Sequence, residues 1–162
     1  MKIGGHGLRE HIRFLMPLFG LIAAVWLLRI VLDKAGAPPT VVRIMSVTVA
    51  CAVSILLAVL LIHIKAFGSY ANVVAATFLL ELWSQSLISG AIAFSVVTGI
   101  TNVFVAPEYS HSMSPLAHII GHMTFGLGLG TLFGSAMGCL LLWMLRLLVR
   151  VTPGKTHAKT NL

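Results

Sequence analysis

The chain has 162 residues, 58% of them hydrophobic and 9% charged, with a formal net charge of +7. Soluble domains carry about a quarter charged residues, and four acidic side chains cannot give so apolar a chain a solvated surface. The composition excludes an ordinary soluble domain and implies an integral membrane protein forming a single membrane domain over 1–162.

Residues 1–13, "MKIGGHGLREHIR", are a basic flank, and the apolar run at 14–32 follows them. That run exceeds the roughly 7–15-residue core of a secretory signal, so it is read as a retained helix although "AGA" at 35–37 imitates a cleavage site. Further apolar segments are predicted at 41–64, 72–100 and 116–146, each long enough for a hydrocarbon layer that takes about 20 residues to cross. All four must be helical, because an open strand edge in lipid leaves backbone groups unpaired. The connections 33–40, 65–70 and 101–114 contain no further domain. Short connections make successive helices antiparallel neighbours, so the predicted fold class is all-α, an antiparallel four-transmembrane-helix bundle.

The positive charge is unevenly placed. Lys2, Arg9, Arg13, Lys65, Arg146, Arg150, Lys155 and Lys159 fall on one side of a four-helix topology, and Arg29, Lys34 and Arg43 on the other. The positive-inside rule then puts both termini in the cytoplasm, with the basic tail 147–162 expected against anionic headgroups and not nucleic acid. The expected location is a bacterial inner membrane. Cys51 and Cys139 lie inside the spans, so no disulfide framework is indicated.

The third span carries a polar row, Thr77, Glu81, Gln85 and Ser89, spaced by four residues. Such side chains should face protein rather than lipid. Glu81 sits near the middle of its span, where an ionised carboxylate is costly, so it is expected to hold a proton or to find a cation. Arg29, the one cation inside another span, is one expected partner, reaching with a long side chain; polar groups of Glu81's own row are the other. A proton path needs a chain of ionisable groups, and the sequence displays one carboxylate without an evident relay.

The fourth span opens with a second row: His118, His122, Gly126, Gly130, Gly134 and Gly138 are each four residues apart. In lipid, glycine at this spacing lets helix backbones approach closely. The row advances about 40° per step on a straight helix. Two uses are open, packing inside this bundle, for which the polar row of the third span is the natural partner, or docking another chain. His118 and His122, one turn apart after an N-capping "SP" at 114–115, form with His111 and Glu108 a candidate set of metal ligands. The ordinary role of interfacial histidines, bonding to backbone, water or a neighbour, competes with it. Haem bound between two helices is disfavoured, because His63 ends the second span on the other side.

No phosphate-binding loop, CxxC pair or nucleophile elbow is present, so the chain is not read as an enzyme. No cofactor is required; a metal ion or a lipid are the candidates. The expected function is a non-catalytic accessory or structural subunit of a larger membrane complex, of the respiratory or photosynthetic electron-transfer kind. The expected partners are the lipid bilayer and other membrane subunits or further copies of the chain. The alternatives are a small oligomeric transporter or channel using Glu81, and a metal- or cofactor-binding membrane protein using His118 and His122.

Overall fold

The computed structural model describes residues 2–105 and 114–151. Four helices in it are long and apolar enough to cross a membrane. The chain opens with a two-stranded antiparallel hairpin, β1 (Lys2–Ile3) and β2 (His6–Gly7), with Ile3 paired to His6. Gly4 and Gly5 turn it with φ of +57° and +91°, the positive pair that a tight two-residue hairpin turn needs and that glycine takes without strain. The first long helix, α1, runs Leu8–Lys34, so it begins before the apolar stretch itself.

The second span is interrupted. A short α2 (Pro39–Ile44) precedes α3 (Val47–Ile64), where one continuous segment over 41–64 is expected. The break lies at Met45 and Ser46, whose hydroxyl accepts from Val49 N and so starts α3 afresh. Ser46 satisfies a helix-start N–H that has no partner within the helix. Helix α4 spans Tyr70–Thr98. The final rod consists of α5 (Pro115–Gly121), a π turn (His122–Gly126) and α6 (Leu127–Val151). Ser114 caps α5 by accepting from Ala117 N, with Pro115 as its first residue, which matches the "SP" signal.

Helices α3 and α4 form the middle of the bundle, each packed on both α1 and α6. Their shared core contains Leu15, Ile22, Val59, Ile62, Leu80, Ile92 and Leu142, all essentially without solvent access. The outward faces are apolar as well, with Phe94, Leu132, Phe133, Met137 and Trp143 each more than half exposed. That surface suits hydrocarbon and not water.

Two long-range bonds set the register of α1 on α4. Asn72 Nδ2 donates to His11 Nε2 over 3.3 Å, and Trp83 Nε1 donates to the Phe19 carbonyl over 3.1 Å. The two helices therefore run side by side in one direction. At the end bearing the chain termini, Asn72 also donates to the Ile3 carbonyl and accepts from Ser69 N, tying the hairpin to the start of α4. Phe67 is stacked between His6 and Phe14 at centroid distances of 3.9 and 4.2 Å. Arg146 closes the same end by donating to the Gly68 carbonyl and lying over Tyr70.

Candidate functional site

The two four-residue rows face each other rung by rung. A Cβ on Gly138 would meet Val73, one on Gly134 would meet Thr77, one on Gly130 would meet the Glu81 carboxyl, and one on Gly126 would meet the Gln85 amide. As the α6 numbers fall by four, the α4 numbers rise by four, the signature of antiparallel helices in register. The glycine groove thus faces inward, onto α4 and, at Gly134 and Gly138, onto Ile55 and Val59 of α3. Gly128, off the row, has nothing within 4 Å.

The π turn keeps the histidines on that same face. In a regular α-helix, four residues overshoot a full turn by about 40°, so a long row drifts off its partner. A π turn takes more residues per revolution; over His122–Gly126 it takes back part of that drift. Bulges of this kind recur where a helix presents functional side chains.

The result is a connected polar chain. Gln85 Nε2 donates to Glu81 Oε2 over 3.2 Å. Gln85 Oε1 accepts from His122 Nδ1 over 2.8 Å. His122 Nε2 lies 3.2 Å from His118 Nε2. Glu81 is 7% exposed and Gln85 5%, while both imidazoles are half-buried toward the loop-bearing end. Cys51 of α3 lies against both the Glu81 carboxyl and the Ser84 hydroxyl of α4. Among the described residues, the buried hydroxyls of Thr77 and Ser89, on the same row, have no hydrogen-bond partner.

On the other side of Glu81 the interior is mostly apolar, with the buried hydroxyls of Thr77 and Ser54 as exceptions. Val73, Ala76 and Leu80 of α4 share one buried cluster with Leu15, Val59 and Ile62; Ser54 donates to the Ala50 carbonyl of its own helix, and Asn72 and the fully buried His11 lie farther along. His11 Nδ1 donates to the Gly7 carbonyl at 3.0 Å. Among the described residues, the hydrogen-bonded chain from Glu81 leads to one end.

Comparison with family models, curated proteins and solved structures returns no match. The site is therefore defined by its own geometry.

Of the residues singled out from the sequence, Glu81, Gln85, His122 and His118 are brought together, with Gly126 and Gly130 against them. Arg29 is not. The Asn72–His11 and Trp83–Phe19 bonds place Arg29 about 14–18 Å of helix rise from Glu81 at 1.5 Å per residue. The guanidinium lies instead over the Phe104 ring, 5.1 Å from its centroid. Of the two expected partners for Glu81, the structure shows the one on its own row, Gln85. Glu108 and His111 lie outside the described residues, and among the described residues no group of three His, Cys, Asp or Glu side chains converges as a metal shell. The relay that the sequence did not display exists because His122 falls opposite Gln85. Cys51 and the His11–Asn72 pair went unnoticed; a polar Asn72 at the start of an apolar span was the available signal.

A second feature is a cleft of about 550 Å³ between α1 and α4 near the loop-bearing end, lined by Trp26, Leu87 and Phe94 among others. Lys34 stands at its rim and donates to the Thr101 carbonyl. It is almost wholly apolar and lies apart from the polar chain.

Proposed function

We propose that this chain is a small multi-pass membrane protein that binds and releases a proton at Glu81 as part of a transport step. The observation that carries this reading is the buried chain Glu81–Gln85–His122–His118, which leads from mid-helix to the loop-bearing end. An ionisable group within a span is a functional candidate by default. This one has a hydrogen-bonded chain on one side and on the other a mostly apolar layer, broken by the Thr77 and Ser54 hydroxyls. A mid-bundle site reached from one side at a time is the arrangement that alternating access uses, so slow gated turnover is expected, not the conductance of an open pore. The Lys/Arg asymmetry supports cytoplasmic termini, which makes the histidine end the outer one. His118 and His122 then act as the entry, and Gln85 holds the carboxyl in line.

The test uses protein reconstituted in liposomes with a trapped pH-sensitive dye and an imposed membrane potential. Wild type is expected to pass protons slowly, and Glu81→Gln to reduce the flux to that of empty liposomes. Infrared difference spectra should contain a carboxylic C=O band that rises with acidification and is lost in Glu81→Gln. Wild-type liposomes as tight as empty ones, together with no titrating carboxyl band, would sink the proposal. Native mass measurement of the same preparation addresses the accessory-subunit reading: a stoichiometric second protein that survives purification would favour that role instead.

A further inference from the structure

We infer that Gln85 is a two-way positioning residue whose amide links the proton on Glu81 to the ring tautomer of His122; this inference rests on the proposed function above. The argument is a count of donors and acceptors. An amide has one face that only donates and one that only accepts. With Nε2 given to Glu81, only Oε1 remains for His122. His122 must then carry its proton on Nδ1, which leaves Nε2 as an acceptor for His118 Nε2–H. Every donor in the chain points toward an ionised Glu81.

A second arrangement satisfies the same contacts with the polarity reversed. When the proton sits on Oε2, the oxygen that faces Gln85, the O–H donates to the amide, which must turn over and offer Oε1. Nε2 then donates to His122 Nδ1, the His122 proton moves to Nε2, and His118 Nε2 becomes the acceptor with its own proton on Nδ1. Each imidazole keeps one proton throughout, and the net gain is one proton, on Glu81. Oxygen and nitrogen of an amide occupy nearly the same volume, so the turn needs no repacking. With that proton on Oε2, a mixed arrangement would place two donors or two acceptors face to face in a buried site, where unmade bonds are expensive. The chain therefore has two consistent states, and Gln85 prevents the intermediate ones.

Few other groups compete for control of Glu81. From α3 the facing ionisable side chain is Cys51. Helix α6 presents Gly130 directly and His122 only through Gln85. Helix α1 has no ionisable side chain between Phe14 and Leu28, and its His11 is bonded to Asn72. On α4 itself the neighbours are Thr77, Ser84 and Gln85, none of which is charged.

The experiment is ¹⁵N NMR on full-length protein in bilayers, with labelled histidine and the His122 signals assigned from His122→Asn, alongside the infrared band of Glu81. In wild type, the His122 proton should move from Nδ1 to Nε2 over the same pH interval in which Glu81 gains its proton. In Gln85→Leu the carboxyl band should persist while that shift is lost. A wild-type His122 that keeps Nδ1–H throughout, or becomes doubly protonated, would overturn the coupling while leaving proton binding at Glu81 intact. Glu81 showing no titration would overturn both readings. A coupled shift surviving in Gln85→Leu would remove Gln85 from its role. The wild-type measurement stands alone if that variant fails to fold.

Discussion

The close approach of α6 to Glu81 makes Gly130→Ala the most informative single substitution. The added methyl would lie 2.6 Å from Glu81 Cδ and 2.7 and 2.9 Å from its two oxygens. Ordinary contact begins at 3.4 Å, so the carboxyl must retreat by about 0.8 Å or the helices must part. Retreat stretches the 3.2 Å bond from Gln85 out of hydrogen-bond range, and parting loosens the rungs above and below. Overpacking of this kind costs about 1–3 kcal/mol, against which alanine gains about 0.8–1.0 kcal/mol of helix propensity over glycine. Gly128→Ala is the internal control: two residues away, with nothing within 4 Å, it receives the propensity gain alone. The two variants should therefore differ by about 1–3 kcal/mol in reversible unfolding from mild detergent, with Gly128→Ala at or above wild type. Gly130→Ala should also shift the infrared carboxyl band. Equal stabilities for the two, with an unmoved band, would mean that Gly130 does not face Glu81.

Four other outcomes follow from the structure. Asn72→Ala strips partners from Ile3, Ser69 and His11 at once; with about 1 kcal/mol per neutral hydrogen bond, a loss of about 2–3 kcal/mol is expected in the same unfolding assay. Gly68→Ala combines a φ of +90° with a Cβ 2.4 Å from Asn72 Oδ1 and should destabilise at least as much as Gly130→Ala, whereas Gly20→Ala, in open space, should not. Metal analysis of wild type and of a His118→Ala/His122→Ala double variant should return equal, substoichiometric values; one equivalent in wild type alone would instead show that the imidazole pair binds an ion. For topology, Ala35→Cys in a chain lacking Cys51 and Cys139 should react with an impermeant maleimide from outside the cell, and protection there would reverse the orientation.

Much of this arrangement was readable from the residues because both rows keep the helical spacing. Glu81 and Gln85 stand out as polar groups in an apolar span, and the glycines stand out by size. What the sequence could not display is that His122 meets Gln85. That contact joins residues 37 apart in the chain, and it depends on how far α6 slides along α4 and on a π turn without a residue-level signature. The Arg29 expectation failed for a related reason: depth within a span was estimated separately for each helix, whereas the Trp83–Phe19 bond fixes both together. The hairpin was hidden in a segment whose charges drew attention away from its Gly4–Gly5 turn. The break at Met45–Ser46 was hidden because the hydropathy of 41–64 is continuous and only the Ser46 cap marks the new start.

The matching of rung to rung also has a mechanical side. Because both rows repeat every four residues, shape alone does not choose their alignment. Sliding the last helix by one rung, about 6 Å at 1.5 Å per residue, would set Gly134 against Glu81, Gly130 against Gln85 and Gly138 against Thr77, with the same small surface under those three side chains and a difference only at Val73, which would meet Leu142 in place of Gly138. The seam works like the teeth of a rack, with nearly equivalent stops. What selects the present stop is aperiodic: the bond from His122 to Gln85 at one end and the grip of Arg146 on the Gly68 carbonyl at the other. Two pins on an otherwise degenerate track make those contacts the positions at which sequence changes would alter the helix's travel without altering its fit.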